Sequence, residues 1–311
     1  MHNHTLENWQ HSHNFNPDKK GIEKKTLAVV AITVIMMVAE IIFGWLSHSM
    51  ALLADGWHMG THAFALGISL VAYIIARKQA KNNCFTFGTW KIEILGAYSS
   101  ALILGFVAIT MVYTSVNRLL HPLGILYDEA IIVAVIGLIV NVVCAFILSN
   151  KHTHTNTHYP THENHNDKDL NLKSAYVHVI ADALTSIFAI IALLGAKYFA
   201  FNWLDPLMGI VGAVLISRWA FMLIRSASSI LLDYELNPPL SKEIKDIIEG
   251  DGDSKVCDLH LWKVSDEKYG CIISLVLSKK RDIGWYKKKL KVVHELAHVT
   301  IEINECGCNA K

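Results

Sequence analysis

The sequence predicts an α-helical membrane protein with six transmembrane helices and a soluble α+β domain at its C-terminus. The chain of 311 residues is 52% hydrophobic and only 18% charged, its mean hydropathy is +0.34, and its long apolar runs stop before residue 232. A helix needs roughly 20 mostly apolar residues to cross a bilayer. Six segments meet this requirement: 26–47, 50–76, 92–116, 127–149, 174–200 and 205–231.

The composition divides the chain into zones. Residues 1–25 form a polar, histidine-rich tail that we expect to be disordered. Residues 26–231 contain the membrane helices, interrupted by a histidine-rich loop at 150–172. The tail and this loop hold nine of the 17 histidines, and neutral imidazoles at such spacing predict transient metal chelation. Residues 232–311 carry many charges and form the soluble domain.

Basic residues set the predicted orientation in the membrane. Lysines precede the first helix, and the loop between helices 2 and 3 is also basic, which places both termini in the cytoplasm. The six cysteines are then expected to be reduced thiols. The net charge of +1 argues against a nucleic-acid partner.

The soluble domain has the pattern of a small two-layer fold. Its apolar residues alternate in the predicted strands and recur at helical spacing in the predicted helices. An α-β-β-α-β order of this kind suits an α+β fold. The predicted elements are a helix at 239–249, strands at 255–264 and 270–277, a helix at 285–296 and a strand at 299–303.

Histidines and carboxylates inside two of the apolar segments are the strongest functional signal. His58 and His62 on helix 2, and His178 and Asp182 on helix 5, are spaced i,i+4, so each pair lies on one face of its helix. Two such faces would supply four ligands suited to tetrahedral Zn²⁺, and imidazole also suits Co²⁺ and Ni²⁺. The alternative for a lone membrane histidine is a hydrogen bond between helices.

Asp55 precedes His58 by one turn on about the same face. It is a candidate to orient an imidazole from outside the ligand set, or to bind and release a proton.

The run SMALLADGWHMGTHAFAL, together with HVIADALTS in helix 5, resembles the cation diffusion facilitator family. The resemblance implies a homodimer that exchanges metal for protons, exporting Zn²⁺, Co²⁺, Ni²⁺ or Cd²⁺ from the cytoplasm without covalent chemistry, so we do not expect an enzyme. It also implies a ferredoxin-like cytoplasmic domain and a location in the lipid bilayer of a bacterial inner membrane. His58, His178 and Asp182 match the family's intramembrane ligands, whereas His62 stands where aspartate is usual. The resulting His3Asp set resembles the cobalt and nickel branch of the family.

The resemblance extends to residues outside the intramembrane site. Lys91 and Asp233 match an ion pair that locks the membrane and soluble halves together, or else they are solvated charges. His260 matches a regulatory metal ligand, and Cys306 with Cys308 would add thiolates to it. The alternative for the two cysteines is that they are ordinary reduced thiols in a frayed tail.

Two other functions compete with transport. The soluble domain would allow an integral-membrane metal sensor. The sequence His294–His298 reads HELAH, which fits the HExxH motif of a metallopeptidase. The strand-like run VTIEI follows immediately, so the second histidine would leave the helix, which argues against this interpretation.

Overall fold

The computed structural model contains no ligand and describes most of the chain. The predicted tail and most of the histidine-rich loop lie outside the described residues. Backbone is described for 24–80, 82, 84–149, 166–234, 237–278 and 281–306. Within these ranges the side chains of 24–30, 62, 65, 66, 145–149 and 166–182 are not described.

Six long helices coincide with the six predicted apolar segments. One boundary differs clearly: the fifth helix starts at Asn166 and not at 174, because the polar stretch before the apolar run contains neither glycine nor proline to stop it. The helices are α1 (Lys24–Leu46), α2 (Met50–Gln79), α3 (Trp90–Leu120), α4 (Tyr127–Ser149), α5 (Asn166–Phe199) and α6 (Leu204–Leu231).

Within the described part of the chain, three helices are long and apolar enough to cross a membrane: Trp90–Leu120, Tyr127–Cys144 and Leu204–Leu231. Ala31–Leu46 and Ala183–Phe199 are shorter apolar helices. Large apolar side chains point outward from these helices, and such exposure is typical of a surface that faces lipid. Examples that are more than half exposed are Ile35, Phe106, Ile109, Val214 and Phe221.

The chain divides into two compact units. Among the described residues, the first comprises those in 24–67 and 100–222, and the second comprises those in 68–99 and 223–306. The first unit has two apolar clusters, and α2 contributes to both. Leu52 and Met59 pack with residues of α1, α4 and α5, whereas Ala54 packs with residues of α3 and α6. Helix α2 is therefore surrounded by its neighbours.

Small residues let two helices approach α2 closely. A Cβ atom added to Gly56 would lie 3.0 Å from the Cβ of Glu40 on α1. A Cβ atom added to Gly212 of α6 would lie 2.7 Å from the Cβ of Ala54. Close backbone approach of this kind drives helix association where lipid removes the hydrophobic effect between helices.

Asp205 of α6 anchors the N-terminus of α2. Its buried carboxylate accepts hydrogen bonds from the Ser49 hydroxyl at 2.6 Å, the Met50 amide at 2.8 Å and the Ala51 amide at 3.0 Å. The first amides of a helix have no partner within the helix, so a carboxylate there satisfies them and complements the helix dipole. Asp205 thereby fixes where α2 begins.

We predict that Asp205→Ala lowers the free energy of unfolding by about 3 kcal/mol or more, because it removes a buried acceptor from three donors. Thermal unfolding of the purified protein in detergent measures this effect. Asp128→Asn is the matched control, because Asp128 pairs with Lys197 at an exposed position where an ion pair contributes little. Equal stability of the two variants would contradict the anchoring role.

The C-terminal residues form the predicted α-β-β-α-β order: α7 (Pro238–Glu249), β1 (Lys255–Lys263), β2 (Tyr269–Leu277), α8 (Ile283–Leu290) and β3 (Leu296–Glu305). In the three-stranded sheet, β2 lies in the centre, antiparallel to β1 and parallel to β3. Alternate residues of β2 face the core, and the packing helices cover them. This is a two-layer α+β arrangement, and the ferredoxin-like assignment stays a prediction.

The predicted boundary between α8 and β3 was wrong. The helix ends at Leu290 and not at 296, and β3 begins at Leu296 and not at 299. Strand pairing competes with the helix here, because the Tyr269 amide donates to the Glu295 carbonyl at 2.8 Å before the strand proper starts. Lys268 also donates to the His294 carbonyl at 2.8 Å, which holds this turn against the start of β2.

A buried carboxylate joins the turn after α7 to α8. Asp251 accepts from the Ser254 hydroxyl at 2.6 Å and from the amides of Ser254 and Asp253, and Arg281 lies 3.4 Å away. The Ser254 hydroxyl also contacts the buried Tyr286 hydroxyl at 2.5 Å. Burial alone would raise the pKa of Asp251, but these hydrogen bonds and the guanidinium outweigh it and lower the pKa to about 2.

This depressed pKa predicts a loss of stability in acid. A folded-state pKa below the ordinary value of 3.8 gives stability that is present above about pH 4 and is lost as the pH falls toward 2. The contribution is about 2 kcal/mol at neutral pH. Asp251→Asn should therefore lower the unfolding temperature at pH 7, and the difference from wild type should shrink between about pH 4 and pH 2.

The matched control for this prediction is Asp246→Asn, whose exposed side chain lies on α7. Its small difference from wild type should not change with pH over the same range. An Asp251→Asn deficit that is the same at pH 7 and pH 2 would contradict the electrostatic origin of the effect.

Candidate metal transport site

A hydrogen-bonded carboxylate joins α2 to α5 within the first unit. Asp55 is 3% exposed. Its two oxygens accept from the Ser186 hydroxyl at 2.6 Å and from the Thr185 hydroxyl at 3.1 Å. Both donors belong to α5, so the carboxylate is a polar cross-link between the two helices that carry the predicted ligand pairs.

The predicted role of Asp55, to orient an imidazole or to handle protons, stays a prediction. The structure shows a further role for Asp55, because its carboxylate accepts two hydrogen bonds from α5 and so links the two helices. Serine and threonine in a helix usually bond a carbonyl of the preceding turn, as Ser99 does with Leu95. Thr185 and Ser186 instead reach another helix, which the sequence alone does not reveal.

The structure describes the side chain of one of the four predicted ligands, His58. His58 is half-buried on α2. His62, His178 and Asp182 lie in α2 and α5, but their side chains are outside the described residues. Among the side chains that are described, no group of three or more His, Cys, Asp and Glu residues lies close enough to hold a metal ion. The His3Asp set therefore stays a prediction.

The hydroxyl group of Thr61 forms a hydrogen bond in the turn between His58 and His62. The buried Thr61 donates to the His58 carbonyl at 2.7 Å. This carbonyl lies in the turn that separates the two predicted imidazole ligands. The extra acceptor contact adds a local restraint on the backbone between them.

Lys91 and Asp233 lie together in the second unit. The Lys91 ammonium donates to the Asp233 carboxylate at 2.5 Å, with both side chains more than a third exposed. Their role as a lock stays a prediction. Beside them, the ring of Phe87 meets the ring of Trp262 on β1 edge-on, with centroids 5.2 Å apart. Phe87 also meets the His298 ring of β3 at 5.9 Å, so the loop between α2 and α3 packs on the sheet.

Of the three candidate regulatory ligands, the two that the structure describes, His260 and Cys306, lie apart within one chain. His260 is an exposed residue of β1 whose ring lies 2.8 Å from the Asp258 carboxylate. Cys306 follows β3, its amide donating to the Leu277 carbonyl at 3.0 Å. With β2 between their strands, the two residues are about two strand spacings apart across the sheet and several residues apart along it. Cys308 lies outside the described residues.

The HELAH sequence does not form a peptidase site. His294 and Glu295 lie in a turn, and His298 lies in β3. The motif requires both histidines on one face of one helix, with the glutamate between them. The sequence predicted that the second histidine would leave the helix; in the structure the whole motif is outside it.

Comparisons with known proteins fit this arrangement. The family model described as the cation efflux transmembrane domain matches residues 26–232. The cadmium, cobalt and zinc/H(+)-K(+) antiporter of Bacillus subtilis (strain 168) is 30% identical over 94% of this chain and 91% of its own length. The zinc transporter ZitB of Yersinia pestis is 31% identical over 92% and 91%. The metal cation efflux system protein CzcD of Cupriavidus metallidurans is 29% identical over 96% and 90%.

The chain is therefore a membrane-integral metal cation transporter and not an enzyme. It belongs to the cation diffusion facilitator family.

Sequence reasoning missed two groups that the structure places near this site. Thr185 and Ser186 were part of the HVIADALTS run, but nothing in one helix distinguishes a hydroxyl that bonds its own carbonyl from one that reaches a neighbour. Asp205 was hidden at a predicted helix start, where an acidic residue is ordinarily a solvent-exposed helix cap.

We predict that Ser186→Ala lowers the free energy of unfolding by about 1–3 kcal/mol, because the buried Asp55 carboxylate loses its shorter hydrogen bond. Thermal unfolding in detergent and metal uptake in proteoliposomes measure stability and transport. Ser99→Ala is the matched control, since its hydroxyl bonds only its own helix among the described contacts. A Ser186→Ala variant that behaves like Ser99→Ala in both assays would show that the cross-link is dispensable.

Proposed function

We propose that this protein exports a divalent transition-metal cation, Zn²⁺, Co²⁺, Ni²⁺ or Cd²⁺, from the cytoplasm in exchange for protons. The ligands are His58, His62, His178 and Asp182. The observation that carries the proposal is the pair of hydrogen bonds from α5 to Asp55, because they bring α2 and α5 together one turn from the predicted ligands.

Helical geometry supports the choice of face on α2. With roughly 100° of rotation per residue, His58 lies about 60° and His62 about 20° around the helix from Asp55. Since Asp55 faces α5, both histidine positions lie on the side of α2 that faces α5.

The same calculation supports the choice of face on α5. Thr185 and Ser186 both reach Asp55, so the direction between them faces α2. Asp182 and His178 lie at roughly 60° and 20° from Thr185 on the side toward Ser186, and therefore within that sector. The two pairs of positions therefore lie on the facing sides of α2 and α5.

The depths agree as well if α2 and α5 cross the membrane in opposite directions, as the predicted topology requires. His58 and Asp182 are then each about one turn from the Asp55 cross-link, and His62 and His178 each about two turns, on the same side of it. Four N and O ligands on two adjacent levels suit a tetrahedral ion.

Competition between protons and metal for these ligands supplies the exchange. Metal binding requires neutral imidazoles and an ionised Asp182, so each bound cation displaces protons and each arriving proton weakens metal binding. If the site opens alternately to the two sides of the membrane, protons entering from outside release the cation outward. A carboxylate or imidazole inside a bilayer is costly unless it serves such a pathway.

The arrangement in the membrane follows the sequence prediction: six crossings, both termini in the cytoplasm, a bacterial inner membrane and a homodimer. The basic residues before α1 and after α2, including Arg77 and Lys78 in the last turn of α2, support this orientation. The match of the family model to residues 26–232 supports a transport domain that extends over all six helices.

The choice of cation depends on His62. Imidazole in place of a carboxylate lowers the negative charge of the site and adds a nitrogen donor, which favours Co²⁺ and Ni²⁺ over harder cations. The names of the relatives include cadmium, cobalt and zinc, and transport by the reconstituted protein measures the selectivity of this chain directly.

The decisive experiment is metal uptake by the reconstituted protein under an imposed pH gradient, comparing Zn²⁺, Co²⁺, Ni²⁺, Cd²⁺ and Fe²⁺. We expect Asp182→Ala to abolish uptake while the protein remains folded. We expect His62→Asp to lower the uptake of Co²⁺ and Ni²⁺ relative to the other cations, because it replaces a nitrogen donor that these ions favour by a carboxylate oxygen. Glu295→Gln, in the HELAH turn, is the control and should transport like wild type.

Each part of the proposal has its own contrary result. Uptake that is unchanged when the pH gradient is collapsed would rule out proton exchange. Metal binding without flux would favour the integral-membrane sensor. Wild-type transport by Asp182→Ala would remove the proposed site.

A further inference from the structure

Glu40 is a buried acid in the middle of α1. Its side chain is 0% exposed, and neither carboxyl oxygen has a hydrogen-bond partner among the described residues. The carboxyl group lies against Gly137 of α4, where an added Cβ would stand 2.0 Å from Oε1. On the other side, an added Cβ on Gly56 of α2 would stand 3.0 Å from the Glu40 Cβ. Two glycines therefore leave the space that this side chain fills.

Among the described side chains, two other acids are buried in the same unit, and both have hydrogen-bond donors. Asp55 accepts from two hydroxyl groups, and Asp205 accepts from a hydroxyl and two amides. An ionised carboxylate only accepts hydrogen bonds, so it needs such donors when it leaves water. A neutral carboxylic acid in an apolar place costs far less than an unpaired carboxylate. The surroundings of Glu40 suit the acid form.

The charged neighbours of Glu40 can be named helix by helix. On α2 the group in electrostatic range is Asp55. On α4 the contact is glycine, and the acids Asp128 and Glu129 are in the first turn, about 12 Å away along the helix axis. Helix α1 has no other titratable group after Lys25. From α5, Thr185 and Ser186 reach the Asp55 carboxylate, and the Asp182 side chain lies outside the described residues.

When two acids interact electrostatically in a medium of low dielectric, ionising both is unfavourable because the two negative charges repel. One of Glu40 and Asp55 is therefore expected to keep its proton. Asp55 has the donors that stabilise a charge, whereas Glu40 has the space and no described donors. The proton is therefore placed on Glu40.

We propose that Glu40 carries one of the protons exchanged for metal, at a position separate from the metal ligands and in addition to the protons that compete for those ligands. This inference rests on the proposed function. In the structure the Glu40 side chain is shielded from water, and the proposal assigns it the neutral acid form. A cation bound near Asp55 would stabilise the ionised form of Glu40. The proton is then lost once α1 and α4 separate enough to admit water. The proton leaves to water on one side, and the carboxylate takes a proton from water on the other.

Glu40→Gln tests this role, because glutamine has almost the same shape and cannot release a proton. Two assays in proteoliposomes separate the functions: Zn²⁺/Zn²⁺ exchange at equal pH on both sides, and Zn²⁺ accumulation driven by a pH gradient with an entrapped pH indicator. We expect Glu40→Gln to keep Zn²⁺/Zn²⁺ exchange, to move fewer protons per Zn²⁺ than wild type, and to accumulate less Zn²⁺ under the same pH gradient. Glu40→Asp, which retains an ionisable group, should recover part of both.

The wild-type protein separates this inference from the proposed function. If wild type itself fails to accumulate Zn²⁺ under a pH gradient, proton antiport is wrong and the role of Glu40 is wrong with it. If wild type is coupled and Glu40→Gln is equally coupled, only the inference about Glu40 is overturned. Loss of Zn²⁺/Zn²⁺ exchange in a folded Glu40→Gln protein would also overturn it, since Glu40 would then serve the metal path or the packing.

Infrared spectroscopy tests the inference even if Glu40→Gln does not fold. The wild-type protein in detergent should show the carbonyl stretch of a protonated carboxyl group, this band should shift in Glu40→Asp, and it should decrease when Zn²⁺ is added. A band that is absent, or that does not respond to both the substitution and Zn²⁺, would overturn the proposal.

Discussion

The hydrogen bonds from α5 to the Asp55 carboxylate are the polar contact on which the arrangement of the first unit depends. In lipid, each polar group must find its partner inside the protein, and a carboxylate has the largest requirement. The hydroxyl groups of Thr185 and Ser186 supply these partners to Asp55. A buried carboxylate that would otherwise destabilise an apolar helix therefore determines which helix packs beside α2. The alignment of α2 with α5, and with it any site that uses ligands from both, follows from this contact.

Helix α2 can hold this position because its other sides are apolar and closely packed. Glycine and alanine allow α1 and α6 to approach its backbone, and Asp205 fixes its first turn. Its Asp55 side chain reaches α5, whereas Gly56 and Ala54 face α1 and α6.

In the C-terminal domain, local patterns were predicted from the sequence, whereas a boundary set by long-range pairing was not. In the C-terminal domain the order of elements was predicted, since alternation in β2 and the spacing of Leu240, Ile244 and Ile248 in α7 are local signals. The end of α8 was not, because it is decided by pairing of the chain at Glu295 with β2, a contact between residues distant in sequence. The same pairing removed HELAH from helical geometry.

By itself the sequence determined the helical class, the places of the apolar segments, the resemblance to the cation diffusion facilitators and the i,i+4 pairs, because each is written in composition or in spacing along one helix. Only the tertiary structure decided which hydroxyl groups satisfy Asp55, that Asp205 caps a helix other than its own, that β2 separates His260 on β1 from Cys306 after β3, and that Glu40 is enclosed between glycines. The physical reason is common to all four. A polar atom buried in a packed interior is defined by what lies opposite it, and that partner belongs to a segment whose position the local sequence does not encode.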